Sequence, residues 1–397
     1  MFRYILALII LVSPTARAET QHPISEALAS GGIVAALAEL EGKDDPDSLF
    51  LQGSLSFLRG IEITMQMRWQ HGASMAGTDI PVLRLPVAPN PDAAPFYPGL
   101  IRDIFDTTAL EMERARGFLA QIPADADFGV TINITDIWFD VNSDGTPQAE
   151  EYMPNIASAA LDQRMNETSA PVLIRFDRAD AYWLSAYTHV LSGLSEMAAA
   201  FDPTAAITQV IEARDAMNAL GPNPYNMGAM MIGDDFDYWL DYFTMVYQSL
   251  RQPPDPVHTQ AAHAHFLAMV ADNRAFWAAM ALESDNEAEW IPNKNQVSGL
   301  GLPVPPETGQ AWLGVLADFE AMLNGDKLIP YWRLGEGAGL NLHSMFMDPP
   351  AVDIVGWVQG FALLPYMERG ALIDDTSWAA FDRMVQGNGL MFAAFLN

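Results

Sequence analysis

Residues 47–69 read DSLFLQGSLSFLRGIEITMQMRW, and the spacing of their large apolar side chains decides the fold class. Leu51, Leu55, Leu58 and Met65 recur on one face of a helix, the interval that a 3.6-residue turn imposes on an amphipathic segment. The stretch from Ile24 to Leu40 carries the same periodicity, so the two together read as a helical hairpin.

Outward from the hairpin, the helical signal dominates the chain. Pro81, Pro86, Pro89, Pro91 and Pro95 mark an irregular segment. Leu100, Ile104, Thr108, Met112, Ala115 and Leu119 then give a further amphipathic helix ending near Pro123. Later helices are predicted from Asp177 to Phe201, Pro203 to Leu220, Asp234 to Leu250, Pro256 to Leu282, Thr308 to Leu323 and Pro350 to Met367. Thr308 is the expected N-cap of its helix and Gly325 the expected stop, while Pro350 suits a first helical turn. Residues 292–306 and 333–340 read as loops. The hairpin spacing is similar to a helical-repeat unit such as a tetratricopeptide repeat, although no fixed period runs through the chain.

One segment breaks the pattern. Val130, Ile132 and Ile134 alternate with polar residues, and Val172, Leu173, Ile174 and Phe176 form a short apolar run, so a small β ribbon is predicted around residues 134–171. Between its strands lies Asp140-Val-Asn142-Ser-Asp144-Gly145-Thr146-Pro147-Gln148-Ala-Glu-Glu151. Calcium is a hard cation that takes six to eight oxygens, and side chains at alternate positions of a twelve-residue loop can supply them. Asp140, Asn142 and Asp144 offer side-chain oxygens, Thr146 its carbonyl, and Gln148 a direct or water-mediated contact. Glu151 is placed to close the sphere with both carboxylate oxygens, and Gly145 permits the sharp reversal.

This stretch resembles the EF-hand calcium loop at the positions that motif requires. The resemblance covers twelve residues and implies Ca²⁺ as the cofactor, with Asp140, Asn142, Asp144, Thr146, Gln148 and Glu151 as ligands. Two departures stand out. The segment leading into the loop reads as a strand where the family has a helix. Pro147 occupies the position whose N–H joins paired EF-hand loops, and proline has none to give. With no second complete loop in the sequence, the site is solitary and belongs at the weak, extracellular end of the affinity range, on the order of 10⁻⁴ to 10⁻³ M.

Composition bounds the remaining possibilities. Residues 1–18 read as an export signal cut after Ala18, with Arg3, the apolar run from Tyr4 to Val12 and Ala16-Arg17-Ala18 as its three parts. A periplasmic or secreted location follows. No later run is long enough for a transmembrane helix. The formal net charge of −30 argues against nucleic-acid binding and favours cations. The chain has no cysteine, so neither disulfides nor thiolate metal sites operate.

Other clusters have simpler readings. His258, His263 and His265 lack the spacing of a metal pair. Ser185, His189 and Glu196 share one helix, which cannot converge all three as nucleophile, base and orienter. Asp234, Asp235, Asp237 and Asp241 begin a helix, where acids favour the dipole. Gly335 to Gly339 lacks the lysine of a phosphate loop and reads as a turn.

The sequence therefore predicts a mainly α protein, a multi-helix hairpin or repeat-like bundle with a small β ribbon around the calcium loop. Its parts are a leader (1–18), an N-terminal helical part (19–125), a calcium-loop segment (126–176) and a C-terminal helical part (177–397), with no low-complexity linker between them. The functional expectation is an exported calcium-binding scaffold or binding protein. One alternative is an α-helical enzyme acting on an extracellular glycan, with Asp234 and Asp241 in a groove. The other is a helical-repeat peptide binder. Sequence identifies neither a protein nor a glycan partner.

Overall fold

Helix α1 (Ile24–Glu39) turns into α2 (Pro46–Gln70), the expected hairpin. Asp45 starts α2 by accepting the Ser48 N–H at 3.0 Å, and Pro46 sits in the first turn, where its missing N–H costs no helical bond. Leu51, Leu55 and Met65 are buried and Leu58 is half-buried. Within α1, Gly32 adopts φ 71° and breaks the helix. A Cβ there would lie 3.1 Å from the Trp138 ring, so glycine serves both the backbone turn and the close approach.

The computed structural model describes residues 21–73, 80, 82–160, 171–221, 236–284, 288–301, 304–389, 393 and 396. The leader at 1–18 lies outside them, as do Asp234 and Asp235. Four long helices pack in succession: α2 against α3 (Leu100–Leu119), α3 against α5 (Arg178–Ala200), and α5 against α8 (Pro256–Met280). Helix α6 (Thr204–Ala219) pairs with α7 (Phe236–Arg251), while α9 (Thr308–Leu323) bridges α8 and α12 (Thr376–Met384). Among the described residues no helix is long and apolar enough to cross a membrane.

The protein is mainly α, with two small sheets. Strands β1 (Val130–Asn133) and β2 (Leu173–Phe176) pair antiparallel, Val130 opposite Phe176. All four β1 residues are buried, so this strand is covered on both faces despite its alternating sequence, while β2 is only partly buried. Short helix α4 (Met153–Ala160) follows the loop at 140–151. The second sheet, β3 (Ile329–Pro330), β4 (Ala338–Leu340) and β5 (Met367–Arg369), is antiparallel in that order.

One core joins α1, α2, the ribbon and residues 137–141, reaching Ala181 and Leu184 of α5. A second lies among α5, α8, α9 and α12, and a third packs Val82 and Leu83 on α3 and α5.

Three boundary expectations need correction. The stretch from Pro350 to Met367 is not one helix. After α10 (Leu342–Met347) come α11 (Ile354–Gln359), then a left-handed Gly360 at φ 107°, a 3₁₀ turn over 361–366 containing Pro365, and β5. Gly360 and Pro365 break a run whose apolar content alone looks helical. Thr308 does not cap α9: Glu307 is the N-cap residue and Thr308 the first helical one. The end of the stretch read as a loop at 333–340 is strand β4.

Candidate functional site

The chain reaches the loop at 140–151 in extended conformation, after a 3₁₀ turn at Ile134–Asp136. Trp138 pairs with Tyr152 in an antiparallel bridge across its neck. Phe139 N–H donates to the Glu151 carbonyl at 2.9 Å, and Met153 N–H to the Ile137 carbonyl at 2.9 Å. The strand expected to lead into the loop ends at Asn133, Ile134 opens the 3₁₀ turn, and an isolated bridge with paired backbone closes the neck of the loop.

Inside, the proposed ligand positions face one another. The Gly145 N–H lies 3.2 Å from both Asp140 carboxylate oxygens, with Gly145 at φ 70° and Ser143 at φ 60° turning the chain. Asp144 Oδ2 accepts from the amides of Asn142 at 3.0 Å and Gln148 at 3.1 Å. Thr146 N–H donates to Asp144 Oδ1 at 2.8 Å.

Glu151 points inward and is 4 % exposed. Its carboxylate accepts the Val141 N–H at 2.9 Å and the Gln148 N–H at 3.1 Å, spanning the two ends of the loop. Burial pushes its pKa up despite these donors, and the charge of Asp140 acts in the same direction. A buried anion beside a second anion gains stability from a cation nearby. The donor set, with carboxylate, amide and carbonyl oxygens, suits a hard cation. As the loop stands, however, its side chains satisfy one another, and among the described residues no three acidic or imidazole groups converge into a metal-ready cluster.

The loop is tied to α2. Glu62, buried in that helix, accepts the Asp140 N–H at 2.8 Å and is held by Arg59, while Gln66 donates to the Asp140 carbonyl at 2.7 Å. Trp138 Nε1 donates to the Leu28 carbonyl at 2.9 Å, adding an anchor on α1. A cavity of about 440 Å³ lies between Trp69, Val87 and Pro89 on one side and Val141, Gln148 and Glu151 on the other.

No family model, curated protein or solved structure matches the chain. Function therefore rests on the residues themselves.

Helices α3, α5 and α8 share a second polar assembly. Ser185 Oγ donates to Asp272 at 2.5 Å, and His189 Nε2 lies 3.9 Å from the same carboxylate. His189 and His265 meet through their Nδ1 atoms at 2.8 Å, which requires one imidazole to donate and the other, neutral, to accept. Arg116 from α3 donates to Ser192 at 2.9 Å, and Glu196 pairs with His258 at 2.6 Å. Burial lowers the pKa of His189 to about 3, helped by Arg116 and His265, and lowers that of His265 as well. Burial raises the Asp272 pKa.

This seam does not assemble a nucleophile. Ser185 bonds a carboxylate and not an imidazole, so the serine–histidine pairing is not formed among the described residues. Ser185, His189 and Glu196 go to Asp272, His265 and His258 respectively, three separate partners on α8. The third sequence histidine, His263, is buried and bonds the Leu323 carbonyl at 2.8 Å, so the three histidines of α8 do not converge. Sequence reading missed Arg116 and Asp272 altogether. The signal was the seven-residue interval of His258, His265 and Asp272, which keeps them on one stripe of α8.

The remaining candidates are dispersed. Asp241 lies 3.8 Å from Arg214 of α6, Asp237 sits exposed at the start of α7, and their companions Asp234 and Asp235 lie outside the described residues. Gly337, at φ 74°, turns the chain between β3 and β4.

Proposed function

We propose that this chain is an exported helical scaffold or binding protein in which a calcium ion clamps the loop at 140–151 against the N-terminal hairpin. Asp140, Asn142, Asp144 and Glu151 would hold the ion with side-chain oxygens, Thr146 with its carbonyl and Gln148 directly or through water. The observation that carries the reading is the buried Glu151 carboxylate, which spans both ends of the twelve-residue loop beside the like-charged Asp140. The ion's contribution is charge compensation and cross-linking, not chemistry on a substrate.

A structural role fits the surroundings. The loop's neck and both of its anchors, Glu62 and Leu28, belong to the hairpin and its core, so an ion that tightens the loop also tightens the joint between α2 and the ribbon. Pro147 leaves no N–H for the pairing that couples two EF-hand loops, which suits a clamp better than a switch.

Calorimetric titration tests the proposal. Calcium should bind once per chain with a Kd on the order of 10⁻⁴ to 10⁻³ M. Glu151→Gln should abolish the heat while leaving the helical circular dichroism unchanged. No heat from the wild type, or the same heat from Glu151→Gln, would overturn the assignment.

A further inference from the structure

Helix α5 faces two different environments. Beside the polar seam, its Leu191, Leu194, Ser195 and Ala198 line a cavity of about 520 Å³ that α3, α6, α7, Ile80, Val82, Leu83 and Phe96 complete. The volume falls within the range of small-molecule sites, about 300–1,000 Å³. The walls are apolar almost throughout, with Phe105, Ile207 and Met245 among them. Ile80 and Phe96 stand partly exposed at its margin, 41 % and 37 %, so the cavity opens to solvent.

One buried polar atom in this lining has no hydrogen-bond partner among the described residues: the Oγ of Ser195, a residue that is 2 % exposed. Some helical hydroxyls bond back to the carbonyl four residues earlier: Ser54 to Phe50, Thr108 to Ile104, and Ser249, on the same cavity wall, to Met245. Ser195 does not, and of the buried hydroxyls unpartnered among the described residues, Ser25, Ser195 and Thr308, it is the one that lines this cavity. A buried hydroxyl without a partner leaves its lost hydration uncompensated, and a ligand oxygen would remove that cost.

The charges around the cavity limit the ligand's own charge. Arg102, next to the lining residue Ile101, is engaged by Asp106, Asp202 and the Ala199 carbonyl, and Tyr97, next to Phe96, donates to Asp103. Arg84, next to Leu83, and Arg251, next to Leu250, also adjoin the lining, as does Asp241, next to Tyr242; the apolar walls and the formal net charge of −30 disfavour an anionic headgroup.

We infer that the cavity between α3, α5, α6 and α7 binds a neutral lipid-like molecule, a hydrocarbon carrying a single hydroxyl or carbonyl oxygen that hydrogen-bonds Ser195. The inference is independent of the calcium loop. Apolar burial supplies the affinity, and Ser195 selects an oxygenated chain over a plain alkane.

The test uses the full chain with ¹³C-methyl methionine, so that Met245 reports from the cavity wall, titrated with 1-decanol, n-decane and decanoate. Decanol should shift the Met245 signal saturably and bind more tightly than either of the others. Ser195→Ala should weaken decanol about fivefold to tenfold, bringing it towards decane, and should leave decane unchanged. Leu194→Trp, which fills the cavity, should abolish both. The proposal is overturned by no Met245 shift, by decanoate binding best, or by equal decanol affinity in Ser195→Ala. It is also overturned by a Met245 shift that follows protein concentration without ligand, which would assign the face to a second copy.

Discussion

The loop at 140–151 and the seam between α3, α5 and α8 are both rich in polar groups, and they differ in how those groups are satisfied. In the seam, the charges meet complementary partners: Asp272 takes the Ser185 hydroxyl, Glu196 takes His258, and the two central imidazoles share a proton. In the loop, the buried Glu151 carboxylate is held by backbone N–H groups and faces another anion. A fully satisfied network rigidifies a core, whereas a buried charge lacking a counter-charge invites a ligand. The difference teaches that the density of titratable groups is a poor guide to a site, and the balance of their partners a better one.

The strongest way to break the comparison is to remove the loop's anchor. Trp138 is 1 % exposed, packs over Gly32 and bonds Leu28. Trp138→Ala should cost about 3–5 kcal/mol of stability, measured by denaturant unfolding, because the ring's contacts are lost and the cavity refills only partly. The calcium heat should weaken with it. Stability close to wild type would show that the loop does not depend on α1.

Next in size is the ion itself. At a calcium concentration about a hundredfold above Kd, linkage stabilises a folded chain by about 2.7 kcal/mol. Thermal melts of the wild type should rise accordingly between chelator and calcium. Glu151→Gln should melt at one temperature in both, and a calcium-dependent rise in that variant would remove Glu151 from the ligand set.

The contrast between the regions also explains what could be seen in the sequence. The loop was legible because its side chains fall within twelve consecutive residues at alternating positions, so chain order is spatial order. The hairpin was legible because Leu51, Leu55 and Met65 obey the helical interval, and Asp45-Pro46 starts a helix by local chemistry. The seam was not, since Arg116, His189 and Asp272 come from three helices whose packing order no local rule contains. His258 and His265 were judged against the three- or four-residue spacing of a metal pair, while the seven-residue interval that matters also includes Asp272. Residues 350–367 misled for a related reason: an apolar run does not reveal whether Gly360 will turn left-handed or whether residues 367–369 will find β4.

A smaller effect probes the seam's closure. Ser185→Ala removes the hydroxyl from Asp272 and should cost about 1–2 kcal/mol, the value of a hydrogen bond to a charged group in a half-buried setting. It should leave calcium binding untouched. Asp272→Asn, which keeps an acceptor for Ser185, should cost less than Asp272→Ala. Equal losses would mean that the hydroxyl contact carries little of the energy.

The smallest effect is in the pH dependence, and its sign separates the two regions. Burial, followed by Arg116 and His265, holds the His189 pKa in the folded chain at about 3, below the ordinary imidazole value. Between those values the unfolded chain binds the extra proton, so this contribution is fully present above about pH 6.5 and is lost as pH falls towards 3. His265, lowered by burial, acts in the same direction. Asp272 and Glu151, raised by burial, act oppositely: the folded chain holds their protons more tightly, and stability grows as pH falls through their window. Total stability mixes these signs, so the informative quantity is a difference between variants. From pH 7 to pH 5 the wild type should lose more melting temperature than His189→Gln, because the unfolded chain protonates an imidazole that the folded His189–His265 pair keeps neutral. Calcium affinity should respond to pH equally in both proteins, since His189 belongs to the seam and not to the loop. A His189→Gln chain with the wild-type pH profile would remove the imidazole pair as the acid-sensitive element of the seam.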